Sequence, residues 1–148
     1  MTVKVFHPEQ LPSAEEKEAM IDFLFDHLDQ YGDPKQDIEK CLNYALKISE
    51  SFGGFALMSS DNGTTTGVVI VNRTGMNGYI PDNILVYIAT HRDYRGKGLG
   101  KLLMDKSFEL AEGDIALHVE PDNPARYLYE KKGFTNKYLE MRWKQPQQ

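Results

Sequence analysis

A chain of 148 residues, 41% hydrophobic and 26% charged, has the size and balance of one globular domain with its own core. Its net charge of −5 argues against a general nucleic-acid binder, a class with a basic balance, and no apolar run reaches the roughly 18–20 residues of a membrane span. Cys41, the only cysteine, excludes an intramolecular disulfide, and MTVKVFHPEQLPS lacks the basic and apolar regions of a signal peptide, so a cytoplasmic protein is expected.

Taken in chain order, TVKVF alternates and predicts a first strand ending at His7-Pro8. Ser13–Glu16, SAEE, is a capping box that starts a helix whose apolar face is Ile21, Leu24, Phe25 and Leu28, stopping near Gly32. Asp33 as N-cap and Pro34 at the first helical position predict a second helix. Its inner face would be Ile38, Cys41, Leu42, Ala45, Ile48 and Ser49, with Gly53-Gly54 ending it. FALMSS, the turn DNG and TGVVIVN predict a β-hairpin, and NILVYIAT a further strand. A helix burying Leu99, Leu102, Leu103 and Leu110 follows, then a strand DIALHVE, a helix NPARYLYEKK started by Pro124 and ended by Gly133, and a closing strand KYLEMRW. The expected fold class is α/β (α+β): a mixed sheet with helices on both faces, in the order β-α-α-β-β-β-α-β-α-β.

Between NILVYIAT and the next helix lies HRDYRGKGLGKLLM. A helix N-terminus leaves backbone N–H groups unpaired and positive, and glycines let an anion such as a phosphate approach them. A Walker A loop fails here, because Arg95 stands where its first glycine belongs and Lys101 is followed by Leu102. The dinucleotide fingerprint GxGxxG fails too, because Gly98 and Gly100 are followed by Leu103 at the third position. What remains is R-x-x-G-x-G at Arg95, Gly98 and Gly100; an ordinary glycine-rich strand-to-helix turn is the other reading.

IATHRDYRGKGLGKLLM resembles the acetyl-CoA pyrophosphate-binding motif of the GNAT N-acetyltransferases, and VEPDNPARYLYEKKGF resembles that family's second signature, Asn…Ala-x-x-x-Tyr-x-x-x-Gly-Phe. The order of elements is similar as well. The resemblance implies a single N-acetyltransferase domain over residues 1–144, with 145–148 a loose tail. It also implies acetyl-CoA as co-substrate. Backbone N–H groups of Gly96, Lys97, Gly98, Leu99, Gly100 and Lys101 would hold the pyrophosphate, with Arg95 and the lysines available for its remaining charge. The backbone of Ile88, Ala89 and Thr90 would pair with the pantetheine arm as an added strand does. Asn123 would hydrogen-bond the pantetheine region or serve as a plain N-cap before Pro124.

Family members transfer the acetyl group in one step, the amine attacking the thioester within a ternary complex. Backbone N–H near Ala89 or Thr90 is the implied oxyanion donor. Tyr129 matches the tyrosine that protonates the CoA sulfur; core packing is its other reading. NILVYIAT has no acid in its interior, so the general base falls to His118, a histidine being able to take a proton from the ammonium, with Glu120 as second candidate by alternation. Asp82, Tyr87 or ordered water are weaker choices. A solvent-facing His118 is the plainer alternative.

The acceptor site would be built from the first two helices, their connection and nearby loops, where Asp26, Asp29, Tyr31, Asp33, Asp37, Tyr79, Pro81 and Asp82 suit a cationic amine or are only a solvated face. The long connection NRTGMNGYIPDN is expected to wall or cover that site. The function expected is therefore acetyl transfer to a primary amine of a small molecule or amino-acid-like compound. Protein N-terminal or lysine acetylation, a non-catalytic acyl-CoA-binding module and a nucleotide-phosphate binder are the alternatives. His7, His27, His91 and His118 show no metal-ligand spacing, so no metal is assigned. A small-molecule amine is the expected partner, with no nucleic acid and no membrane; the family also includes homodimers.

Overall fold

The computed structural model describes residues 1–147. Two compact units share the chain, Met1–Leu117 and the residues from His118 onward. The first contains β1 (Thr2–Phe6), α1 (Ala14–His27), α2 (Lys35–Ala45), β2 (Gly54–Asp61), β3 (Thr64–Arg73), β4 (Asn83–Thr90), α3 (Leu99–Leu110) and β5 (Ile115–Leu117), with 3-10 turns at Asp29–Tyr31 and Arg92–Tyr94. The second contains α4 (Ala125–Lys131).

The sheet has five strands in the order β1-β2-β3-β4-β5. The first three pairings are antiparallel and β4–β5 is parallel, so the sheet is mixed, as expected from the order of elements. The β2–β3 hairpin closes on Asn62 (φ 51°) and Gly63 (φ 83°), two successive left-handed residues of the kind that match the twist of the flanking strands.

Helices cover both faces of this sheet. Ala56, Met58, Val68, Ile70, Tyr87 and Ala89 pack with Met20, Leu24, Ile38 and Leu42 of α1 and α2. On the opposite face α3 comes so close that a Cβ on Gly67 would lie 2.6 Å from Leu103 Cδ1. The capping box forms: Ser13 N–H donates to Glu16 Oε1 at 2.9 Å, and Glu16 N–H to Ser13 Oγ at 3.0 Å.

Several boundaries differ from expectation. Phe25 is half exposed with Lys35 Nζ 5.1 Å from its ring centre, while Met20 and Phe23 are buried instead. Helix α2 starts one residue later than expected, with Pro34 at the N-cap position; the carboxylate of Asp33 serves Tyr87, not the helix. That helix stops at Ala45, well before the glycines. Lys47 takes φ 57°, and the N–H groups of Lys47 and Ile48 donate back to Tyr44 O (3.2 Å) and Asn43 O (2.9 Å). This is a left-handed helix end built on a lysine, so Ile48 faces solvent while Leu46 is buried. In α3, Leu102 is half exposed, and Met104 and Ser107 join Leu99 and Leu103 inside.

The strand expected over DIALHVE is three residues long, Ile115–Leu117. The closing strand KYLEMRW is absent among the described residues: Tyr138, Leu139, Met141 and Trp143 are all at least 79% exposed. Alternation alone does not make a strand; its N–H and C=O groups need a ladder partner, and these residues have none. The order among described residues is thus β-α-α-β-β-β-α-β-α. The expected tail has no regular structure over residues 145–147, and Gln148 lies outside the described residues.

Candidate active site

Strand β4 carries the site's framework. Its pairing with β3 slips by one residue, Ile70 facing Tyr87 and Val71 facing Leu85, so Val86 is a bulge without a partner. On the other edge, β5 pairs only with Asn83, Ile84 and Leu85. From Val86 to Thr90 that edge has no strand partner among the described residues, leaving the backbone of Ile88, Ala89 and Thr90 on an open ladder edge. The chain is then anchored by His91 N–H, which donates to Thr66 O at 2.8 Å, and turns through Arg92–Tyr94.

The glycine turn follows. Gly96 (φ 78°) and Gly98 (φ 81°) are both left-handed, a conformation that costs an L-residue roughly 1–2 kcal/mol, and a Cβ at either would meet nothing within 4 Å. Gly98 is the N-cap of α3. No side chain caps that helix and its first turn holds no acid, so its leading N–H groups have neither a side-chain acceptor nor a competing negative charge. Beside it lies a cavity of about 250 Å³ lined by Met1, Tyr94, Lys97, Gly98, Leu99 and Leu102. Lys97 Nζ sits 5.4 Å from the Tyr94 ring centre, and Lys101 is exposed.

The two arginines of the turn are directed elsewhere. Arg92 donates from Nε to Asp29 Oδ1 at 3.0 Å and from Nη2 to Asp26 O. Arg95 donates to Thr90 O (3.3 Å), His27 O (2.9 Å) and Asp29 Oδ2 (3.4 Å). Both guanidinium groups thus meet the C-terminal end of α1, where helix carbonyls lack partners and positive charge is favoured. Hydrogen bonding from Arg92, aided by both positive charges, holds the Asp29 carboxyl below its usual range. Arg95, expected among the phosphate-facing groups, is occupied by α1 here.

Tyr87 Oη donates to Asp33 Oδ2 at 2.5 Å, joining β4 to the chain just before α2. Burial, then the neighbouring carboxylate, raises the phenol's pKa, so this tyrosine is a poor source of a base. The long connection after β3 is closed at its base by Thr74, whose N–H donates to Asp82 O (2.8 Å) and whose hydroxyl donates to Pro81 O (2.8 Å). Beyond that neck Tyr79 is 81% exposed. Asp82 Oδ1 accepts from Asp114 N–H at 3.1 Å, which commits that carboxylate to the start of β5.

A comparison of families matches residues 53–136 to the acetyltransferase (GNAT) domain. The chain belongs to the GNAT acetyltransferase family. Acetyltransferases of Yersinia pestis and Yersinia pseudotuberculosis are 30% identical over 116 residues, covering 73% of this chain and 74% of theirs. The fold is also similar to that of a transcriptional regulator from Bacillus halodurans (TM-score 0.68, 17% identity, 97% of this chain and 99% of that one). An aminoglycoside antibiotic 6'-N-acetyltransferase from Acinetobacter haemolyticus is similar too (TM-score 0.66, 12% identity, the whole of both chains).

In this GNAT acetyltransferase the second unit holds the other expected site residues. Asn123 Oδ1 accepts from Ala125 N–H at 2.9 Å, so the carbonyl side of its amide serves as a cap for α4. Tyr129 is buried, with the Phe134 ring edge-on at 6.1 Å, and burial pushes its phenol up to about 12. His118 and Glu120 follow the end of β5 and are exposed in irregular chain, so strand alternation does not place them on one side. Among the described residues no group of three His, Cys, Asp or Glu could hold a metal ion, and no helix is long and apolar enough to cross a membrane.

Sequence reasoning missed the roles of Arg92, Asp29 and His27. Their contacts join residues 63 to 68 positions apart, and no local pattern signals such a pairing.

Proposed function

We propose that this GNAT acetyltransferase takes its acetyl group from acetyl-CoA and moves it to a primary amine of a small molecule or amino-acid-like compound, the amine attacking directly within a ternary complex. One observation carries this reading: the uncapped N-terminus of α3 opens from two left-handed glycines directly after the unpaired edge of β4. Such a cradle suits a pyrophosphate, since backbone N–H groups point outward and no Cβ obstructs them.

Acetyl-CoA supplies an activated thioester. Around it, the N–H groups from Gly96 to Lys101 would bind the pyrophosphate, with Lys97 and Lys101 as the cations not drawn to α1. The open backbone of Ile88, Ala89 and Thr90 would bond the pantetheine amides, and an N–H at Ala89 or Thr90 would meet the developing oxyanion. Tyr129 carries the proton for the leaving sulfur; a phenol pushed up to about 12 is fully protonated at neutral pH. Asn123 would support the pantetheine region from the start of α4. His118, with Glu120 second, is the proposed acceptor of the amine's proton, and both are exposed to exchange it with solvent. Tyr79, Asp26 and Asp37 would face the cationic acceptor, since Asp29 and Asp33 are engaged by Arg92, Arg95 and Tyr87.

The test is thiol release from acetyl-CoA across a panel of small amines, amino acids and peptides. Tyr129→Phe should lower kcat about 100-fold or more with little change in KM for acetyl-CoA, and His118→Gln should lower kcat as well. Tight CoA binding with no amine ever acetylated, and Tyr129→Phe without effect, would defeat the catalytic reading in favour of a binding module. Turnover of peptides alone would move the acceptor to protein N-termini or lysines.

A further inference from the structure

The α1 end and the glycine turn are held together by one carboxylate. Asp29 sits just past α1 with φ 56°, a left-handed conformation that Asp tolerates better than most residues. Its Oδ1 accepts from Arg92 and its Oδ2 from Arg95, so each oxygen holds one of two arginines, the first residue of the 3-10 turn and the residue that follows it. The same arginines reach Asp26 O and His27 O, two carbonyls of the last turn of α1. Arg95 also returns to Thr90 O, tying the far side of the turn to the last residue of β4. Beyond Arg95 comes Gly96, where even an added Cβ would meet nothing within 4 Å.

An isolated ion pair at this exposure would contribute little, since both partners are well hydrated and pinning two side chains costs entropy. Here the two guanidinium groups share one carboxylate and two helix-end carbonyls, so ordering one partner orders the others.

We propose that Asp29 is a positioning residue for donor binding: by gripping Arg92 and Arg95 it fixes the base of the glycine turn against α1 and keeps the N–H groups of residues 96–101 presented to the CoA pyrophosphate. The proposal rests on the acetyl-CoA reading above. Asp29 touches no substrate. Arg95, on this account, contributes to donor affinity by holding the loop, and the phosphate charge is met by backbone and by Lys97 and Lys101.

The experiment compares wild type, Asp29→Asn, Arg92→Gln and the double variant. Asp29→Asn retains a residue suited to the left-handed conformation and removes the charge that holds both arginines. Amide hydrogen exchange of residues 96–101 in the free protein should quicken about tenfold in Asp29→Asn, and the dissociation constant of CoA should rise about tenfold. At saturating donor, kcat should stay within about twofold, and the double variant should bind CoA no worse than the weaker single variant. A purely structural role would instead lower the unfolding temperature without separating KM from kcat. Exchange and CoA affinity unchanged in Asp29→Asn, with wild-type binding intact, overturn the clamp alone. Additive losses in the double variant also overturn it, because Arg92 would then act on CoA independently of Asp29. A wild-type protein that binds no CoA defeats the donor reading itself, and that result is visible before any variant is made.

Discussion

The imidazole of His27, on the last turn of α1, stacks on that of His91, at the start of the glycine turn, with ring centres 4.4 Å apart. Phe23 backs His27 at 4.5 Å, Tyr94 meets His91 edge-on at 5.6 Å, and Nδ1 of His27 is buried without a hydrogen-bond partner. The charges of Arg92 and Arg95 disfavour a proton on His27, that of Asp26 favours it, and Asp93 Oδ2 lies 3.9 Å from His91 Nδ1. Desolvation first, then the nearby His91 and Arg92, lowers the pKa of His27 below the ordinary 6.5.

The sign of the pH dependence follows. An unfolded His27 binds a proton more readily than the folded one, so its contribution to stability is fully present above about pH 6.5 and declines as the pH falls through the lower folded value. His27→Phe should keep the stack while removing the proton site. Urea unfolding between pH 8 and pH 5 should show a shallower loss of stability in this variant than in wild type; parallel curves would contradict the assignment.

Tyr87 and Asp33 make the opposite case, at alkaline pH. The phenol's pKa is raised, so the unfolded chain loses this proton first, and the stabilisation is present below about pH 10 and lost as the pH rises further. Tyr87→Phe should cost about 1–1.5 kcal/mol at pH 7, because exposed Asp33 can turn to water when its donor is removed. Its unfolding curves should also be flatter above pH 10.

Gly98→Ala isolates conformation from crowding. A Cβ there meets nothing within 4 Å, so the expected cost of about 1–2 kcal/mol comes from φ 81° alone, and chemical unfolding would measure it. CoA affinity should fall along with stability if the turn relaxes toward an ordinary helix start.

Gly67→Ala inverts that logic. Its Cβ would lie 2.6 Å from Leu103 Cδ1 and 2.8 Å from Ser59 Oγ, and such overpacking costs about 1–3 kcal/mol. In combination with Leu103→Ala the two losses should be less than additive, since the smaller side chain vacates the space the new methyl needs. Full additivity would mean that α3 does not approach β3 as described.

What could be read in the sequence was whatever depends on neighbours along the chain. The Ser13–Glu16 box, the Asn62-Gly63 hairpin and the glycine turn before α3 each rest on a few consecutive residues whose backbone demands are local. Helix α2 was read too long because its end carries Lys47 where a glycine normally signals the stop. The strand DIALHVE was overextended and KYLEMRW read as a strand because alternation reports a face, not the presence of a pairing edge. Of the candidate site, the glycine turn before α3 was legible. The Asp29 clamp and the Tyr87–Asp33 bond were not, because both join parts of the chain that only the fold brings together.

The surplus residue in β4 has a consequence for how the strand tolerates change. Leu85, paired with Val71, and Tyr87, paired with Ile70, are two apart in sequence yet face opposite sides of the sheet, so the strand runs in one phase up to Val86 and in the other beyond it. Were Val86 drawn into the ladder opposite Ile70, residues 87–90 would turn over together, withdrawing Tyr87 from Asp33 and Ala89 from the α1–α2 core, whereas deleting Val86 would leave both pairings and both faces in place. The bulge, not the number of residues in the strand, thus decides which layer each of residues 87–90 serves.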